Sequence, residues 1–254
     1  MVVVLFVVLL VVIGAIIFVA VKKNGSTTTA TTQPTVTSPP AVATDTALAA
    51  SINLHLSDLP SGWQTTPVGR TARPPVTPAT AQLQASRTLA ACVGISYTTA
   101  AGLFGGSPLP GQTSAVRSPS YTSTSDPNIQ MYSVTTIMST AAQVQGLEAP
   151  FSNPNFATCY GAYQSALVSA AVPGATAQVQ AVTLNAPPGV KSFGYVTTLA
   201  IPNQGSQVIG QAFMFGGRID SRLEPTTNGE AIPSDDFNPP YNAMVARIGS
   251  ALNN

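Results

Sequence analysis

Residues 192–221 read SFGYVTTLAIPNQGSQVIGQAFMFGGRIDS. Two apolar runs, rich in β-branched and aromatic side chains, flank Pro202-Asn203-Gln204-Gly205. Proline fixes one backbone angle, and Asn and Gly accept left-handed geometry, so this block has turn chemistry and the stretch is predicted to be an antiparallel hairpin. Counting by twos sorts the first strand into Phe193, Tyr195, Leu199 and Ile201 on one face. Ser192, Gly194, Val196, Thr198 and Ala200 take the other. The second strand sets Ile209, Phe213 and Phe215 against Val208, Gly210, Ala212, Met214 and Gly216. One face is bulky and the other mostly small. A small-residue face either receives a closely packed layer or leaves room for a ligand, and packing is the commoner cause.

Just before the hairpin, NPNFATCYGAYQSALVSAAVPG (153–174) reads as a helix, capped by Asn153, opened by Pro154 and stopped by Pro173-Gly174. Phe156, Cys159, Tyr160, Tyr163, Leu167 and Ala170 recur at steps of three and four and share one face. That stripe is bulky where the hairpin is bare. The helix is therefore expected to cover Gly194, Ala200, Gly210, Ala212 and Gly216. TPATAQLQASRTLAACVG (77–94) reads as a second helix, ended by Gly94.

Cys92 and Cys159 are the only cysteines, one on each of these helices. They make no C-x-x-C motif, and the lone His55 does not complete a zinc set with two such distant thiolates. A Cys92–Cys159 disulfide is the expectation, which suits a compartment outside the cytoplasm. Two buried free thiols are the alternative.

Further strands are predicted at NIQMYSVTTIMST (128–140) and AQVQAVTL (177–184). RIDSRLE (218–224) alternates charge on one face through Arg218, Asp220, Arg222 and Glu224 and is expected to be the solvated face of an outer strand with cross-strand charge pairs. Asp58, Pro60, Ser61 and Gly62 make a turn after an apolar-periodic stretch, Ala47 to Leu56, and Trp63 is expected as a core anchor. GLFGGSPLPG (102–111) reads as a loop. The C-terminus reads as a helix opened by Pro239 and Pro240, with Tyr241, Met244, Val245, Ile248 and Leu252 as its apolar stripe. Helices, strand, helix, consecutive strands and a final helix make an α+β pattern with an antiparallel sheet flanked by helices.

The chain opens MVVVLFVVLLVVIGAIIFVAVKKNGSTTT. Val2 to Val21 is twenty apolar residues counting Gly14, the length of a membrane-crossing helix. Residues 1–23 are expected to be a retained transmembrane anchor, with a cleaved signal peptide as the alternative. Lys22 and Lys23 by themselves favour a cytoplasmic C-terminal side. The downstream composition argues for an extracytoplasmic one, and basic residues upstream of Met1 would outweigh the two lysines. Residues 24–44 hold eight Thr, two Ser and three Pro without a charge, the composition of a disordered spacer. Residues 45–254 remain as one domain, with eight Lys and Arg against nine Asp and Glu. This near-neutral balance lacks the basic stripe that nucleic-acid binding requires.

The chain contains no G-x-S-x-G, Walker or H-E-x-x-H sequence. Asp235 and Asp236 read as charges at a helix start rather than a catalytic pair. No catalytic residue, cofactor or metal ligand is expected. An anchor, a Thr/Pro spacer, LSDLPSGW (56–63), LAACVG (89–94), SPSY (118–121) and FATCYGAY (156–163) together resemble exported domains of the actinobacterial envelope. They resemble the extracellular sensor domains of PknH-type membrane kinases and the LpqN-type lipoproteins. This chain lacks the lipoproteins' modified cysteine, the kinase domain and the second disulfide of the kinase sensors. The resemblance implies an antiparallel sheet flanked by helices, and a role in ligand sensing or envelope binding without catalytic residues. The expected partners are the membrane, through the N-terminal helix, and either a small or lipid-like envelope ligand or an envelope protein. An interaction subunit of an envelope complex is the alternative, and a hydrolase without a recognisable motif comes behind it.

Overall fold

The computed structural model describes residues 40–66 and 79–253. The expected anchor (1–23) and most of the expected spacer lie outside the described residues. Among those described, no single helix is long and apolar enough to cross a membrane.

The helices are α1 (Pro40–Ile52), α2 (Ala79–Val93), α3 (Tyr97–Gly105), α4 (Ala141–Glu148), α5 (Phe156–Ala171) and α6 (Ser234–Leu252). The strands are β1 (Trp63–Thr65), β2 (Gln112–Arg117), β3 (Tyr121–Ser123), β4 (Gln130–Met138), β5 (Thr176–Val182), β6 (Lys191–Ile201), β7 (Gly205–Gly216) and β8 (Ile219–Thr227). All eight strands join one sheet in the order β1-β3-β4-β8-β7-β6-β5, with β2 also on β4, and every pairing is antiparallel. The chain is therefore α+β, with helices on both faces of an antiparallel sheet.

The hairpin is β6–β7, in register from Lys191↔Phe215 to Ile201↔Gly205. Asn203 at φ 64 and Gly205 at φ 88 take the left-handed geometry that closes it. Both faces sort as the period of two requires. The bulky face, with Tyr195, Phe213 and Phe215, packs on Phe151, Phe156, Tyr160, Tyr163 and Leu167 beneath α2 to α5. The small face, with Ala212 and Met214, packs on Tyr241, Met244, Val245 and Ile248 of α6.

This corrects the expected pairing: α5 covers the bulky face, not the bare one. Aromatic clustering decides it, because Phe151 lies 4.6 Å from Phe213, and Phe156 4.9 Å from Tyr195, ring centre to ring centre. The glycines on the bare side are plugged one by one. A Cβ at Gly194 would stand 2.5 Å from Val182 Cγ2, and one at Gly216 2.8 Å from Ile248 Cγ2.

The second correction concerns β8. It lies between β4 and β7, not at an edge, and Asp220 and Glu224 on it are buried. Sequence alternation shows which residues share a face, but not whether that face meets water or a second layer. The third concerns boundaries. α6 begins at Ser234, ahead of Pro239 and Pro240, with the Asp236 and Phe237 N–H groups both bonded to Pro233 O. α5 begins at Phe156, after a turn in which Asn153 Oδ1 accepts the Asn155 N–H. α3 takes in the first part of the expected loop, and α1 starts at Pro40, inside the stretch assigned to the spacer.

Polar hubs knit the layers. Asn53, at the end of α1, donates to Val116 O at 2.9 Å and accepts from Ser133 Oγ at 2.7 Å and Thr135 Oγ1 at 3.0 Å. Asp45 pairs with Arg218 at 2.6 Å and Asp58 with Arg247 at 2.7 Å. The Arg218 hydrogen bond holds the Asp45 carboxyl below the usual range. Cys92 and Cys159 are disulfide-bonded, with Cα atoms 5.9 Å apart, where α2 and α5 pack.

Candidate functional site

The small-residue face ends in a groove. Its floor is Val196 and Gly210, neighbours across the β6–β7 ladder. Val182 and Leu184 form one wall, and Ile232 and Phe237 the other. Thr183, Ser234 and Asn238 supply polar groups at its border. Each wall is held from behind. Val182 and Leu184 sit over the bare Gly194, where a Cβ would meet them at 2.5 and 2.8 Å. Ile232 sits over Gly210, where a Cβ would meet Ile232 Cδ1 at 2.6 Å and Pro225 Cγ at 2.9 Å. Phe237 stacks on Tyr241, ring centres 5.5 Å apart, and Trp63 Nε1 donates to the adjacent Asp236 at 3.1 Å. The glycines thus serve close packing, and the groove is the space left between two sets of side chains that fill the bare positions.

The groove holds about 240 Å³. That is less than the roughly 300 Å³ at which pockets begin to enclose drug-sized ligands. Its walls are apolar, so what suits it is a slender apolar chain rather than a charged or polar molecule. Beside it the same sheet face is uncovered: Gln178, Thr198, Ala200 and Ser206 are exposed and carry no charge.

The opposite face holds a buried polar cluster on β8. Tyr132 Oη donates to Glu224, Gln211 Nε2 lies 3.4 Å from Glu224 Oε2, and Arg222 Nε approaches the same oxygen at 3.4 Å. Gln164 Nε2 donates to Tyr160 Oη at 2.5 Å, and the Arg117 guanidinium stacks over the Tyr132 ring at 3.6 Å. Burial pushes the Tyr132 and Tyr160 hydroxyls far above their usual range, so both stay neutral donors.

The other candidates from the sequence are dispersed. His55 Nε2 is 3.1 Å from Ala50 O, and the His55 N–H donates to Asp58. Asp235 and Asp236 occupy the first turn of α6. Among the described residues no group of three or more His, Cys, Asp or Glu is placed to hold a metal ion. Ile232 and Phe237 carried no signal: a single isoleucine in a polar connection and one phenylalanine before two prolines make no pattern.

No protein-family model matches the chain, and no curated protein matches it. Several solved structures are similar, among them two from mycobacteria. The extracellular domain of PknH from Mycobacterium tuberculosis has 10% sequence identity, covering 56% of this chain and 66% of that one, with a TM-score of 0.33. A putative uncharacterized protein from Mycobacterium smegmatis has 12% identity, covering 51% of this chain and 61% of that one, with a TM-score of 0.32. The matches span less than two thirds of either structure's chain. The first is the extracellular domain whose type the sequence pattern resembles. Similarity this low transfers no site, ligand or activity.

Proposed function

We propose that the chain is a non-catalytic, membrane-anchored, extracytoplasmic binding module of the cell envelope, and that its groove takes a slender apolar chain such as the alkyl tail of a lipid. The observation that carries this is the groove itself: apolar walls anchored over Gly194 and Gly210, open on one side. The disulfide supports a compartment outside the cytoplasm. The apolar segment Val2 to Val21 supports the tether. Titration of the full chain in lipid nanodiscs with a fluorescent alkanoate tests it. Saturable binding is expected, reduced at least about tenfold by Val196→Trp, which fills the floor while leaving the melting temperature close to wild type. Absence of saturable binding, or equal binding by the variant, rejects the groove as the site.

A second reading is docking of an envelope protein on this face. The uncovered strip of Gln178, Thr198, Ala200 and Ser206 beside the groove favours it. In that case an apolar side chain of the partner enters the groove, the alkanoate does not bind, and photo-crosslinking from position 198 captures a protein.

A further inference from the structure

Asp220, Arg222 and Glu224 share the helix-side face of β8, in the interior of the sheet. With all three ionised, two carboxylates and one guanidinium leave one negative charge in excess. Glu224 is supplied with donors from Tyr132, Gln211 and Arg222. Asp220 is not. It is 8% exposed, and among the described residues no hydrogen bond reaches its carboxylate. Its cross-strand neighbours are Thr136 and Phe215.

The arginine beside it is committed elsewhere: Arg222 Nε approaches Glu224, and Nη1 is directed to Leu103 O of α3 at 3.4 Å. The elements packed on this face bring no further free cation. α3 has no charged residue. α4 packs on β4, β7 and β8 and brings only Glu148, which pairs with Lys191. α5 brings the neutral Tyr160 and Tyr163, and β4 brings Tyr132, with Arg117 of β2 on its ring. An ionised carboxylate in such a place has little solvent and no hydrogen-bond donor.

We propose that Asp220 is a proton-operated latch on the helix layer. When neutral it lets α3 and α4 close on β8; when ionised it draws water in and loosens them. Burial pushes its carboxyl up to about 7, against a smaller opposing pull from Arg222. In the unfolded chain the same carboxyl titrates near its ordinary value of about 3.9. The folded state therefore holds this proton more tightly. The stability it confers is complete below about pH 4, declines as pH rises to about 7 and is lost above that. A domain facing an acidified exterior is tightened, and one at neutral pH is loosened. The latch lies on the sheet face opposite the groove and does not depend on it.

The test is the pH dependence of the full chain in lipid nanodiscs, with melting followed by the fluorescence of the single tryptophan, Trp63. From pH 5 to pH 8 the wild-type Tm is expected to fall by more than about 5 °C. Asp220→Asn mimics the neutral acid in shape. Its Tm should change little over the window and exceed the wild-type value at pH 8. Parallel curves for the two proteins overturn the latch. Hydrogen exchange on the wild type, corrected for intrinsic rates, supplies an answer even if the variant does not fold. Protection of the α3 and α4 amides should drop at least about tenfold between pH 5 and pH 8 while β6 and β7 hold. Equal protection at both pH values overturns it as well.

Discussion

Gly210 shows how one absent side chain shapes both the core and the groove. A Cβ there would lie 2.6 Å from Ile232 Cδ1 and 2.9 Å from Pro225 Cγ, so Gly210→Leu overpacks the face. A loss of about 1–3 kcal/mol is expected in urea denaturation, together with weaker alkanoate binding because Ile232 is displaced. An unchanged midpoint would show open space where the structure places side chains. The small-residue pattern around Gly210 was readable from the sequence, including its preference for packing. The identity of the packing partners was not, because Val182 and Leu184 reach Gly194, and Ile232 and Pro225 reach Gly210, from three separate segments. The charges of β8 teach the converse. Alternation placed Asp220, Arg222 and Glu224 on one face, and only the position of β8 between β4 and β7 buries the two acids and partly covers the arginine.

Among the helices, α2 and α5 are the pair most directly joined, by packing and by the Cys92–Cys159 bridge. Their sequence separation of 67 gives a chain-entropy contribution of about 4 kcal/mol, with measured values often lower. Replacing both cysteines by alanine is expected to lower stability by up to that amount and to leave the sheet's circular dichroism intact. Non-reducing mass spectrometry of the wild type should show two hydrogens fewer than the reduced chain, and two alkylatable thiols would count against the bridge. α5 also guards an edge. Ser165 Oγ donates to Ala177 O and accepts the Ala177 N–H, both at 2.9 Å, which occupies outward groups of the edge strand β5. Two short helices carry local end signals in the sequence. Thr140 and Gln143 form a reciprocal capping box at α4. At α3, Ser96 Oγ accepts the Thr99 N–H, and Gly106 closes the helix at φ 73. Helices of eight and nine residues show too few turns for their periodicity to stand out.

For the molecule as a whole, α1 is held to the sheet by Asp45–Arg218 and by Asn53. A fragment of residues 40–254 is therefore expected to fold cooperatively in an oxidising compartment. One of residues 45–254 loses the first turn of α1 and should melt lower. A molten 40–254 fragment would mean that the first 39 residues take part in the fold. The sequence by itself determined the class of the fold, the hairpin with its turn and its two faces, the apolar stripe of α5 and the sparse charge. Each of these follows from local geometry: a period of two or of three and four, a turn residue, a count. Only the tertiary structure decided that α5 takes the bulky face and α6 the small one, that β8 is internal, and that a groove remains between the side chains filling the glycine positions. Those outcomes depend on strand order and on which distant segments meet, and neither is encoded in the neighbours of any one residue.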